Sequence, residues 1–311
     1  MPHRAVSCDV SAIRIEPAQA TAPVLQVTHP DEFAQRAMMV QRRNQLYVKL
    51  QKLLALLTPG DPKKILFSVK PDWAEYIQLG FKHLPHQIDF GPVTEDSFKR
   101  YDIVVPLGLD ALDAARRYSH GLRPALPLPS EEVVRLCNDK YELNQALIDT
   151  GFRRYIPEMR QGLGLAFPYI LKKRIGYWGT DCYIIRDDND EQLHRHLITD
   201  PKFFCQELIQ GSAEFATHIL FVNGRLVKAL NIKYEFAGLA PIKGQNEALL
   251  QVVQRCPHLD LFARMLRTIK FDGLCCVNYK VAGRQPSLLE INPRFGGSLG
   301  PYFFAFVRNL R

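Results

Sequence analysis

The chain has 311 residues, 47% hydrophobic and 23% charged, the composition of an ordinary soluble globular protein with two or three modest cores. Its apolar runs fall short of the ~20 residues of a membrane span, and seven cysteines without a CxxC pair speak against a zinc site or a disulfide framework and for a reducing cytoplasm. The formal net charge of +8 suits anionic small molecules, and nucleic acid is disfavoured because no stacking-aromatic motif accompanies the basic clusters.

Residues 1–23 lack the apolar core of a secretory signal and read as a loose leader. A helix is expected over 31–57, ended by the breaker "TPGDP". Its basic stretch "QRRNQLYVKLQK" is read first as a solvated face. "KKILFSV" (63–69) and "DIVVPLG" (102–108) read as short buried strands, with a helix in "LDALDAARRY" (109–118). Strands alternating with helices predict a parallel α/β domain over 24–129, closed by the proline-rich "PALPLPSEE".

Two helices follow within 130–152. Ser130 caps the first, Asp139 and Glu142 form a capping box for the second, and Gly151 stops it. From Phe167 the pattern changes to hairpins, so the second half is α+β, divided here into 130–204 and 205–311. "FPYILKKRIGYWGTDCYIIRD" is strand, loop, strand, and its basic loop with Gly176, Gly179 and Thr180 suits a phosphate. Tyr177 and Trp178 in that loop read equally well as hydrophobic filler. A second hairpin turns at Asn223-Gly224, and a two-residue turn places Glu214 opposite Lys233, as an ion pair or as part of a ligand site.

The last hairpin carries the strongest chemistry. If Val281 pairs with Ser287 across "AGRQP", then Asn278 lies opposite Glu290, with Cβ atoms about 4.5–5.5 Å apart. Asn292 shares the face because side chains alternate. One carboxylate and two amides suit a hard cation completed by substrate phosphates, and a polar outer strand face is the competing reading. The GxSxG pattern in "GGSLG" is not a hydrolase elbow, because no acid or histidine follows it.

These segments resemble a known family. "LLEINPRFGGS", preceded by "FDGLCCVNYK", resembles the metal-binding end of the ATP-grasp superfamily, which includes carbamoyl-phosphate-synthetase-like and carboxylate–amine ligases. "NDKYELNQALIDTGF", "FPYILKKRIGYWGTD" and "FFCQELIQGSAEF" resemble its first lysine helix, its second lysine strand with phosphate loop, and its adenine hinge, in that order. The resemblance implies an N-terminal α/β pre-ATP-grasp domain followed by an ATP-grasp fold of two α+β subdomains, the first with the phosphate loop and the second with the metal site.

It further implies that Lys140 and Lys172 contact ATP phosphates under a loop containing Gly176, Gly179 and Thr180. Gln206, Glu207 and Ile209 would border the adenine and Glu214 would reach the ribose. Asn278, Glu290 and Asn292 would hold magnesium, with manganese as an alternative, and Arg294 would steady the transferred phosphoryl group. Asn278 stands where relatives often carry an acid or Gln, the aromatics of the loop depart from its usual Gly/Ser-rich character, and the C-terminal helix of many members is short or missing. The implied chemistry is an ADP-forming ligase joining a small-molecule carboxylate to an amine, or less often a thiol, through an acyl phosphate. An ATP-grasp kinase and a nucleotide-binding regulatory protein are the alternatives, and a homodimer stays open. Lys280, Arg284 and loops of the first domain are candidates for the substrate pockets.

Overall fold

The computed structural model describes residues 30–57, 61–176 and 179–310. The expected leader and the aromatic pair Tyr177-Trp178 lie outside the described residues. The chain divides into two compact units, Met1–Met39 and Val40–Arg311. A long helix, α1 (Pro30–Leu57), provides the described part of the first unit and continues into the second.

A parallel sheet of order β2-β1-β3 comes first in the second unit, from β1 (Lys64–Phe67), β2 (Gln87–Phe90) and β3 (Ile103–Val105). Helices α2 (Ala74–Phe81), α3 (Ser97–Arg100) and α4 (Leu109–Tyr118) connect and follow its strands. Leu66 and Val104 face Ala115 of α4, while Ile65, Phe67, Ile103 and Val105 face the opposite way.

Helices α5 (Glu131–Asn138) and α6 (Lys140–Leu147) start at side-chain caps. Ser130 Oγ accepts from Val133 N at 3.3 Å. Asp139 Oδ1 accepts from Tyr141 N and Glu142 N, each at 3.1 Å. The expected capping box closes only halfway: the Asp139 amide bonds Arg135 O, and Glu142 accepts from Arg174 instead. Gly151 ends the helical run at φ +94°, a conformation open to glycine without a Cβ penalty.

A four-stranded antiparallel sheet has the order β4-β7-β5-β6, from β4 (Met159–Arg160), β5 (Tyr169–Lys173), β6 (Cys182–Ile185) and β7 (Phe203–Glu207). Helix α7 (Asp188–Ile198) packs on it through Ile198, against Tyr169, Leu171 and Phe203. The junction expected at 204/205 falls inside β7.

A five-stranded antiparallel sheet, β10-β9-β8-β11-β12, completes the fold. Its strands are β8 (Ala213–Val222), β9 (Arg225–Phe236), β10 (Ala248–Gln254), β11 (Gly273–Ala282) and β12 (Gln285–Asn292). One face buries Ile219, Cys275 and Val277 against α5, α6 and α8 (Leu259–Thr268). The other buries Leu220, Ile232 and Leu274 against the parallel sheet and the segment of Phe295, Phe303 and Phe306, which includes α9 (Phe304–Val307). The adjacent Cys275 and Cys276 therefore belong to opposite faces, as strand alternation requires.

Two β-bulges correct the expected registers. Val222 opposes Arg225 around the Asn223-Gly224 turn, whose φ values of +50° and +75° fit a type I′ hairpin. A shift between Leu220 and Phe221 then places Glu214 opposite Tyr234, not Lys233. In the last hairpin Val281 pairs with Pro286 rather than Ser287, and a shift between Asn278 and Tyr279 brings Asn278 opposite Glu290. Each bulge adds a residue to one strand and moves every pairing beyond it by one.

Candidate active site

A cavity of about 600 Å³ opens between the four-stranded sheet, the five-stranded sheet and the segment after β12. Of the thirteen residues expected to meet nucleotide, metal or the transferred phosphoryl group, twelve line it: Lys140, Lys172, Gly176, Gly179, Thr180, Glu207, Ile209, Glu214, Asn278, Glu290, Asn292 and Arg294. Gln206 does not. Its side chain is fully buried, and its Oε1 accepts from Lys172 Nζ at 2.7 Å.

Glu290 is the centre of the polar cluster. Its Oε1 accepts from Asn278 Nδ2 at 2.7 Å and from Asn292 Nδ2 at 2.8 Å. Its Oε2 lies 3.8 Å from Lys140 Nζ. Burial pushes this carboxyl's pKa up, but Lys140 and the two amides outweigh it and hold the pKa below the ordinary value.

This donor set fits a hard cation. Among the described residues no group of three His, Cys, Asp or Glu side chains could hold a metal. The set is one ionised carboxylate and two amides lining the cavity, which suits magnesium when phosphate oxygens fill the other positions.

Two lysines approach from different elements. Lys140 opens α6, and its Nζ donates to Gly176 O at 2.8 Å. Arg174 braces this helix start with charge-assisted bonds to Asp139 Oδ2 and Glu142 Oε1, both 2.7 Å. Lys172, on β5, is 8% exposed, and burial pulls its pKa down while Cys182 and Glu290 oppose the shift. Its ammonium group is thus desolvated and aimed by a neutral amide, an arrangement complementary to an anion.

Lys243 was not legible in the sequence. It sits in the β9–β10 connection, with Nζ 4.2 Å from the centroid of the Tyr234 ring and 3.9 Å from Glu214 Oε1. Burial lowers the Lys243 pKa, yet Tyr234 and Glu214 outweigh it and raise it overall. Burial also raises that of Glu214. Lys233, the partner expected for Glu214, bonds Glu235 at 2.5 Å.

The same connection grips the β5–β6 loop at Gly179. Gln245 Nε2 donates to Gly179 O at 2.5 Å and to Cys182 O at 2.9 Å. Gly179 has φ +64°, and a Cβ there would meet Lys243 O at 2.7 Å. Lys280 Nζ, from β11, donates to Ile209 O at 3.2 Å and to Gly211 O and Pro241 O at 3.4 Å. Arg284 is exposed at the hairpin tip, outside the cavity.

The glycine pair after β12 also has a physical reason. A Cβ on Gly296 would meet His218 Cε1 at 2.6 Å. His218 is fully buried, its Nε2 lies 2.8 Å from Ser298 Oγ, and its Nδ1 has no partner among the described residues. Desolvation pulls its pKa down to about 3, so it is neutral.

No helix among the described residues is long and apolar enough to cross a membrane. No curated protein matches the chain. Solved structures share its fold at low identity. An L-amino acid ligase from Bacillus licheniformis is 15% identical with a TM-score of 0.53, covering 80% of this chain and 71% of its own. A D-alanine–D-alanine ligase from Bacillus anthracis is 14% identical, TM-score 0.51, covering 76% and 88%. An N5-carboxyaminoimidazole synthetase from Staphylococcus aureus, complexed with ADP, is 12% identical, TM-score 0.52, covering 76% and 71%. A family model described as the ATP-grasp domain matches residues 137–298, just over half the chain, from the end of α5 to Ser298. The chain belongs to the ATP-grasp family.

Proposed function

We propose that this protein is an ADP-forming carboxylate–amine ligase. The observation that carries the reading is the convergence of Lys140, Lys172 and the Glu290–Asn278–Asn292 cluster on one cavity. A substrate carboxylate oxygen attacks the γ-phosphorus of ATP, the bond to the β-bridging oxygen breaks, and ADP leaves. An amine, or a thiol, then attacks the acyl phosphate and expels inorganic phosphate, forming the amide or thioester.

Such a transfer needs positioning and charge neutralisation more than covalent help from the protein. Lys140 and Lys172 bind phosphate oxygens, assisted by Gly176, Gly179 and Thr180. Glu207 and Ile209 border the adenine, Glu214 meets the ribose, and Arg294 steadies the transferred phosphoryl group. Gln206 acts from behind, by aiming Lys172. Asn278, Glu290 and Asn292 would hold magnesium, which when bound neutralises phosphate charge. The subdomain division of the chain is part of this proposal, with its second junction moved past β7 because the strands of one sheet move together. A reducing cytoplasm is the proposed setting, in keeping with six free thiols among the described residues.

The test is an ADP- and phosphate-release screen of the full chain across carboxylic acids and amines, amino acids included. Release that requires both an acid and an amine, with stoichiometric amide product, is expected. A stable phosphorylated product with no amide would replace this reading by a kinase. ATP binding without ADP release under any acceptor would replace it by a regulatory nucleotide site.

A further inference from the structure

We propose that the activated substrate is a carboxylic acid with an aromatic or bulky apolar body, seated on a wall formed by Trp73, Tyr302 and Tyr234. The proposal rests on the ligase reading for the fate of the carboxylate, while the wall itself is a feature of the cavity.

The wall is built from three parts of the chain. Trp73, just before α2, stacks on Phe295 with ring centroids 6.1 Å apart and planes at 7°. Its indole also rests on the glycine segment, since a Cβ on Gly297 would lie 3.5 Å from Trp73 Cε2 and one on Gly300 3.6 Å from Cζ3. Tyr302 follows that segment and is held edge-on by Tyr47 at 6.3 Å. Tyr234, from β9, is buried and stacks on Phe236 with ring centroids 6.3 Å apart. Three aromatic side chains are thus fixed by neighbours behind them and line one cavity. Rings with restricted rotamers give up little conformational entropy on binding.

Charge decides which end of a ligand lies where. The cavity-lining carboxylates are Asp181, Glu207, Glu214 and Glu290. Three of them face cations within the site, Asp181 with Lys173, Glu214 with Lys243 and Glu290 with Lys140. None belongs to the segment 294–302 or to α2. That wall instead adjoins two cations, Arg294, one residue before Phe295, and Lys243, whose Nζ lies over the Tyr234 ring. An anionic head beside Arg294 and Lys243 with an apolar body on the rings satisfies both features. A dicarboxylate would bring its second charge against aromatic faces, and glycine would leave them uncovered.

The test is calorimetric titration of the full chain, saturated with ADP and magnesium, with L-phenylalanine, L-leucine, L-aspartate and glycine, and with the corresponding 2-hydroxy acids. Phenylalanine or leucine, or the 2-hydroxy acid of the same side chain, is expected to bind at least tenfold tighter than the aspartate and glycine counterparts. Trp73→Ala is expected to erase that preference while ADP binds as in the parent. Equal or tighter binding of the acidic or small members, binding of none, or an unchanged preference in Trp73→Ala overturns the proposal. The release screen separates the two readings. Turnover with aspartate or glycine but not with apolar acids removes the wall and leaves the ligase. Saturable, Trp73-dependent binding of an apolar acid without turnover removes the ligase and leaves the wall.

Discussion

Across the last hairpin, Asn278 is directly opposed to Glu290, and its side-chain amide donates to the Glu290 carboxylate at 2.7 Å. With Lys140 3.8 Å from its other oxygen, Glu290 is an ionised, half-buried carboxylate within a polar cluster. Glu290→Gln is expected to abolish ADP formation and leave the fold intact, because a neutral amide removes the only carboxylate of the three proposed metal-holding residues. Asn278→Asp is expected to keep or raise activity by adding a second one. Release assays with circular dichroism check both, and full turnover by Glu290→Gln removes the metal site from Glu290.

Lys172 and Gln206 form the second pair to test. Replacing Lys172 by Ala is expected to cost roughly 1.5–3 kcal/mol of ATP affinity, about tenfold or more. Gln206→Leu keeps the bulk but removes the acceptor 2.7 Å from Lys172 Nζ, so a smaller loss in the same direction is expected. Calorimetry with ATP reads both. Parent-like affinity in folded Lys172→Ala would exclude it from phosphate binding.

Gly179 lies where the β5–β6 loop meets the β9–β10 connection. Alanine at φ +64° costs roughly 1–2 kcal/mol from the left-handed backbone alone. Its methyl would also meet Lys243 O at 2.7 Å, a backbone atom that cannot simply rotate away. Gly179→Ala is expected to speed hydrogen exchange across 242–246 and to weaken ATP binding. Unchanged exchange there would show that the two loops are not held together.

His218 makes stability depend on pH. Its folded pKa is depressed to about 3, whereas an unfolded histidine titrates near 6.5. Between these values the unfolded chain binds the extra proton, so stability falls as pH falls through about 6.5. By pH 5 the loss from this residue is about 2 kcal/mol. Denaturant unfolding at pH 7.5 and 5 is expected to show that loss in the parent and a smaller one in His218→Gln. Identical pH slopes would refute the assignment.

The legible part of the site follows from local rules. Strand alternation across the last hairpin, visible in sequence, brings Glu290, Asn278 and Asn292 to one face, while a bulge sets the exact opposition of Asn278 and Glu290. The bulges were not visible, since an extra residue in a strand leaves no composition mark, and so Glu214 was assigned to Lys233 instead of Lys243. Strand β2, "QIDF", was missed because it is short, polar at alternate positions and formed only by its parallel neighbour β1. Gln206 reaches Lys172 through the pairing of β5 with β7, a contact between distant segments. Lys243 and Trp73 lie in connections without periodicity, and only tertiary packing brings them to the cavity.

Lys280 donates to carbonyls on two separate segments, Ile209 and Gly211 beside β7 and β8, and Pro241 in the β9–β10 connection. The first segment lines the cavity through Ile209, and the second leads to Lys243. One ammonium group therefore serves as a common fastening for both ends of the site. Two ligands that each contact one of these segments would be legs of one thermodynamic cycle. Under the proposed function, coupling through this group would change the affinities for nucleotide and acid by the same factor, whichever arrives first.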